Sequence, residues 1–186
     1  MKGSGQRASK PPEPIIARWA ARLGFSLGYS SIYQELVSLK RQRSFLLELE
    51  IQLDCADVNW QFVAETLKRV GMAYAEPAAH QKSFENSQVT VFIYRKGQMI
   101  GFGRAISDGA FQAAIYDVAI LPEYQVQGIG TIIIKTIMDK FPDCNFILYA
   151  APGKEGFYQT LGFRKMKTGM ALFRKAEHMK ERGFTE

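Results

Sequence analysis

Three consecutive pieces decide the fold: Ala114-Ile-Tyr-Asp-Val-Ala-Ile-Leu121, then Pro122-Glu-Tyr-Gln-Val-Gln-Gly-Ile-Gly130, then Thr131-Ile-Ile-Ile-Lys-Thr-Ile-Met-Asp-Lys140. The first is an apolar run of strand length and the last has helix length. A strand that opens through a glycine-bearing turn into a helix leaves several main-chain N–H groups without helical partners. With the helix dipole behind them, these groups form an anion site. A side chain at Gly128 or Gly130 would hold a phosphate away from the backbone. The stretch therefore reads as a cradle for a phosphorylated cofactor.

Two familiar cradles fail on single residues. A P-loop requires Gly-Lys-Ser/Thr, but Thr131 and Ile132 follow Gly130. A dinucleotide-binding turn requires a third glycine, where this chain has Ile133. The pattern that remains is Gln-x-x-Gly-x-Gly from Gln125 to Gly130. A second block follows the helix: the strand-like run Phe146-Ile-Leu-Tyr-Ala-Ala151, then Pro152-Gly-Lys-Glu-Gly-Phe-Tyr-Gln-Thr-Leu-Gly-Phe163. The first pattern resembles the pyrophosphate loop of the GNAT superfamily of acetyl-CoA-dependent N-acetyltransferases. Asp117 to Tyr124 looks like that family's central strand and turn. Phe157-Tyr158-x-x-x-Gly162-Phe163 is similar to its second cofactor-contacting segment. The resemblance covers residues 45–175 and is strongest from 97 to 165.

The resemblance implies transfer of an acetyl group from acetyl-CoA to a primary amine of a small molecule or a protein lysine, by direct attack in a ternary complex. Val118, Ala119 and Ile120 would pair with the pantetheine arm as an added strand does. Gln125, Val126, Gln127, Gly128, Ile129, Gly130 and Thr131 would hold the pyrophosphate. Tyr158 would give its proton to the departing thiolate, and Phe157 would turn the opposite way, into the core. Histone-type members carry a glutamate where this chain has Ala114, so the base stays open. Asp117 is offset from Ala114 by odd parity, towards the other face; Glu76, Glu85, Asp108 and Glu155 are alternatives acting through water. The missing carboxylate motivates a second reading, a non-catalytic acyl-CoA-binding or regulatory module. A third is an interaction adaptor resting on residues 15–43.

Composition narrows the rest. The 186 residues carry a net charge of +6 and 47% apolar residues, enough for one domain with appendages. Cys55 and Cys144 lie far apart and outside any Cys-x-x-Cys pair, which suits buried thiols in a reducing, cytoplasmic setting better than a disulfide or a metal site. His80 and His178 have no partner at ligand spacing; His80 falls in a polar stretch and is expected to be solvated. The basic residues come with no nucleic-acid motif and read as a surface friendly to a polyphosphate cofactor. No run reaches the ~20 apolar residues of a membrane span.

The expected fold is α+β: a GNAT-like, twisted, mixed sheet of six to seven strands flanked by about four helices, with an extra N-terminal helical segment. Residues 1–14 read as a disordered tail, not a signal peptide. Residues 15–44 read as a helical extension broken at Gly24 and Gly28, whose aromatic residues need burial on the domain, in a homodimer or on a partner. The acetyltransferase domain spans 45–175, and 176–186 form a C-terminal tail. Within the domain, strands are expected at 45–53, 89–94, 99–106, 111–121 and 145–151, with a final pair near 163–166 and 170–174. Helices are expected at 58–70, with Asp57 as cap and Gly71 as stop, and at 131–140 and 154–161. Residues 76–85 are left open between helix and loop.

Overall fold

A computed structural model describes residues 29–72 and 74–186. They separate into a short unit ending at Leu47 and a larger one from Glu48 to Glu186. In the short unit, helix α1 runs Tyr29–Leu47. It realises the helical periodicity read from 32 to 39, whereas the first part of the expected extension, with Gly24 and Gly28, lies outside the described residues. Because α1 continues through Leu47, the strand expected from Phe45 shrinks to β1, Leu49–Gln52.

The larger unit is built from β1, α2 (Trp60–Arg69), α3 (Pro77–Glu85), β2 (Val89–Arg95), β3 (Gln98–Ser107), β4 (Gln112–Ile120), α4 (Ile129–Met138), β5 (Asn145–Ile147), α5 (Glu155–Thr160) and α6 (Ala176–Glu181). The strands form one sheet in sequence order, with the first four antiparallel and β5 parallel to β4. The α+β mixed class is therefore as expected, with five strands among the described residues instead of six or seven. Residues 163–174, expected to supply the final pair, carry no strand. The run 145–151 is strand only to Ile147.

Asn59, not Asp57, caps α2: its Oδ1 accepts the Phe62 N–H at 3.0 Å. Asp57 is instead spent in the preceding turn, at φ 52°. The stop is as read. Gly71 takes φ 73°, and the Met72 and Gly71 amides bond back to Leu67 and Lys68, a Schellman closure. The open stretch at 76–85 resolves as helix, with Pro77 at its first turn. His80 is not solvated: it is 7% exposed, and its Nε2 accepts the Ala75 N–H at 2.9 Å, which ties the α2–α3 connection to α3.

The two sheet faces differ in material. On one, Gly101 and Gly103 face α4, and a Cβ at Gly103 would stand 2.6 Å from Ile133 Cγ2. On the other, the alternate residue Phe102 meets Phe84 of α3 edge-on at 5.8 Å, and Phe84 stacks on Phe92 at 5.4 Å, with Trp60 of α2 tilted against Phe84 at 5.6 Å. Val63, Leu67, Val58, Met99 and Ala119 complete this core. At the sheet edge, the Arg95 guanidinium donates to Glu48 at 2.6 and 2.8 Å and pins β1 to β2.

Candidate functional site

The site begins where two strands part. β4 and β5 pair only at Gln112/Asn145, Ala113/Phe146 and Ala114/Ile147. Beyond Ala114, β4 continues to Ile120 while Leu148–Ala151 carry no strand. Among the described residues the β4 edge thus has no paired strand for the rest of its length, and the two strands form a fork; extended peptide-like ligands add to sheet edges of this kind. On the other edge, β3 pairs Phe102 with Ala119 and Arg104 with Tyr116. Asp117 and Val118 together oppose the single residue Gly103, which is a β-bulge. Asp117 sits at φ 52°, and the bulge takes Val118 out of the β3 register.

This bulge corrects the parity argument for Asp117. Its carboxylate accepts the Arg104 Nε–H at 2.6 Å, and Arg104 lies opposite Tyr116 on the aromatic face. The same guanidinium reaches Ser87 Oγ at 3.2 Å and lies over the Tyr116 ring at 5.1 Å and the Phe84 ring at 5.7 Å. Asp117 thereby stands beside Val118 with a fixed orientation. The four other carboxylates weighed as bases are placed differently. Asp108 accepts the amides of Ala110, Phe111 and Gln112, which hold its pKa below the ordinary carboxylate value. Glu85 accepts from Gln81, while Glu76 and Glu155 are exposed helix-start residues.

After Ile120 the chain makes a single 3₁₀ turn at Pro122–Tyr124 and enters the glycine loop. Val126 has φ 61° and Gly128 φ 86°, with Gln127 between them. Left-handed residues interleaved this way turn successive N–H groups to one side, the concave arrangement that holds anions. A β-branched residue at positive φ is strained, and Val126 is fully exposed, so no burial of its own side chain offsets that cost. Among the described residues no side chain caps α4, and its first internal bond runs from the Ile132 N–H to the Gly128 carbonyl at 3.1 Å. The amides of Ile129, Gly130 and Thr131 therefore have no helical acceptor. Gln125 shapes the loop through its Nε2, which donates to the Ile120 carbonyl at 3.0 Å; Gln127 does the same to Glu123.

The two glycines differ. Gly128 is required for its φ, and its surroundings are open. Gly130 is required for space: an added Cβ would lie 3.0 Å from the Phe157 ring and 3.5 Å from Ile120 Cδ1. Phe157 is thus half-buried against the start of α4, not turned into the core away from its neighbour; its ring meets Tyr158 edge-on at 5.0 Å. This contact seats α5 beside the fork. Tyr158 is held between Phe157 and Phe163, and burial raises its phenol above the ordinary value.

Sequence reasoning brought Val118–Ile120, Gln125–Thr131 and Tyr158 to this end of the sheet. It missed Gly103, Arg104 and the bulge. Two glycines inside a strand, Gly101 and Gly103, are a signal for close approach of another element. Among the described residues no group of three His, Cys, Asp or Glu side chains is placed to hold a metal ion, and no helix is long and apolar enough to cross a membrane.

A family model described as "Acetyltransferase (GNAT) domain" matches residues 58–173. The "Uncharacterized N-acetyltransferase ycf52" of Gracilaria tenuistipitata var. liui is 37% identical over 116 residues, 59% of this chain and 57% of that protein, so the chain spans little more than half of that relative's length. The "Serotonin N-acetyltransferase 2, chloroplastic" of Oryza sativa subsp. japonica is 29% identical over 125 residues, 62% of each protein. Among solved structures, the "Acetyltransferase, GNAT family protein" of Streptococcus pneumoniae is similar with a TM-score of 0.59 at 23% identity, over 68% of this chain and 98% of that one; at this identity the likeness is one of fold.

Proposed function

The chain belongs to the GNAT acetyltransferase family, and from that premise we propose that it transfers the acetyl group of acetyl-CoA to a primary amine of a small molecule or a protein. The observation that carries this reading is the fork: a β4 edge unpaired among the described residues, with a bulge at Asp117–Val118, leading directly into a loop with left-handed Val126 and Gly128 and the uncapped start of α4. Acetyl-CoA supplies the activated thioester. Val118 and Ile120 offer main-chain groups to the pantetheine amides, and the amides of residues 127–131 face the diphosphate. The Val118 N–H donates to the thioester carbonyl oxygen, where negative charge grows as the amine nitrogen attacks.

Asp117, oriented by Arg104, accepts a hydrogen bond from the incoming amine and takes its proton, directly or through water. As the new C–N bond forms and the C–S bond breaks, Tyr158 protonates the departing sulfur. Burial suits it to this task, because it keeps the phenol protonated across the physiological range. The two unpaired cysteines fit any reducing compartment. The rice relative's name places that protein in the chloroplast, and a fluorescent fusion would decide between plastid and cytoplasm for this one.

The glycines give the direct test. Gly128→Asn keeps the left-handed φ open while adding a side chain, so it should preserve the melting temperature and weaken acetyl-CoA binding about tenfold or more. Gly130→Val should weaken binding as well and also lower the melting temperature, through the collision with Phe157. Native affinity for both in calorimetry removes the loop from the cofactor site. The non-catalytic reading, motivated by Ala114, is decided by free-thiol release: acetyl-CoA binding without CoA production across a broad amine panel would favour it.

A further inference from the structure

We propose that the C-terminal segment completes the acceptor side of the fork: Phe184 joins Tyr116, Tyr149 and Phe173 in an aromatic wall that selects an amine carried on a flat aryl group. The inference rests on the acetyl-transfer reading above, and of the four rings only Phe184 lies beyond the residues matched by the family model. Tyr116 and Tyr149 each stand two positions past the last β4–β5 pair, Ala114/Ile147. Their rings still meet, edge to face at 6.0 Å, where the backbone ladder has ended. Phe173 and Phe184 approach the Tyr149 ring at 5.7 Å each, with interplanar angles of 78° and 85°. Tyr149 nevertheless remains 54% exposed, so the wall has an open surface.

Phe184 is held, not dangling. Gly183 takes φ 76°, and the Phe184 and Gly183 amides bond back to Met179 and Lys180, a Schellman closure of α6. Arg182, next to that closure, donates to the Gly71 carbonyl at 2.7 Å, which moors the segment to the end of α2. Residues expected to form a tail therefore reach from α2 to the fork. At the other end of the wall, Tyr116 lies under Arg104, which holds Asp117. A ligand with its amine at Asp117 has its body against Tyr116 and Tyr149. Ring faces and edges reward a planar aromatic body beyond its apolar area. Arg104, Arg182 and the net charge of +6 disfavour polycations such as polyamines.

The test uses the full chain with acetyl-CoA, measuring thiol release with 2-phenylethylamine, butylamine and spermidine. The wild type should favour 2-phenylethylamine over butylamine in kcat/KM. Phe184→Ala and Tyr149→Leu should each raise KM for 2-phenylethylamine about tenfold, by removing a ring from the aryl contact. Neither should change KM for acetyl-CoA, and Phe184→Tyr should restore the aryl preference. An aryl-to-alkyl ratio unchanged in both variants overturns the proposal, as does a wild type that prefers butylamine or spermidine. Should none of the three amines release thiol, the broad amine panel decides the acetyl-transfer reading, and the wall is judged separately by ligand-observed NMR of 2-phenylethylamine with the CoA-loaded protein. Saturation transfer present in the wild type and lost in Phe184→Ala supports it; none in the wild type overturns it.

Discussion

The two faces of the sheet are made of opposite materials. Around α4 the sequence removes side chains: Gly101 and Gly103 on β3, Gly128 at the helix cap and Gly130 in its first turn. Main chain approaches helix, and the functional groups are amides. Towards α2 and α3 the sequence adds bulk: Trp60, Phe84, Phe92 and Phe102 fill the interior, and Tyr116, Arg104 and Asp117 carry the same face on to the fork. In the proposed function one face would bind by backbone and the other by side chains. The first leaves a compact sequence signature, because glycines at required φ values admit few substitutes. The second is assembled from residues far apart in the chain and has no motif.

The sharpest break of this comparison is on the aromatic face. Phe84 is fully buried and touches Trp60, Phe92 and Phe102, so Phe84→Ala should cost about 4 kcal/mol, read as a loss of denaturation midpoint. A loss below about 1 kcal/mol would mean that the rings do not form one core. The converse is to add bulk where the chain omits it. Gly103→Val places a side chain on Ile133 and Val118, and should cost about 2–3 kcal/mol and disturb the bulge. Native stability and native acetyl-CoA affinity together would show that α4 is not seated as closely as described.

The smallest effect separates the chemistry from the scaffold. Tyr158→Phe keeps the ring between Phe157 and Phe163, so acetyl-CoA affinity should hold while kcat falls about 10–100-fold. The sign of the pH dependence follows from the raised phenol. The protonated form is the active one, and burial favours that form, so the alkaline fall of kcat assigned to Tyr158 lies above the ordinary phenol pKa of ~10. A fall near pH 8 that survives in Tyr158→Phe would assign it to another group.

The sequence was most readable where local backbone demands were strongest: the strand–loop–helix unit around Gly128 and the Gly71 stop. It misled where a tertiary partner overrode periodicity. Alternation in β4 promised that Asp117 faces away from Ala114, but one extra residue opposite Gly103 broke the count. The apolar run from Phe146 promised a long strand, yet pairing stopped at Ile147. His80 looked polar and exposed because its acceptor role depends on the Ala75 amide, which closes over it only in the folded chain.

The shortness of β5 has a thermodynamic consequence. The fork is a stretch of sheet edge without a paired strand among the described residues, the feature that invites intermolecular strand addition. Whatever occupies it is coupled to folding: at a hundredfold excess over its dissociation constant, a ligand specific for the native state adds about 2.7 kcal/mol. Acetyl-CoA bound there as proposed would then lower the fraction of copies that unfold or self-associate, independently of any turnover at the thioester.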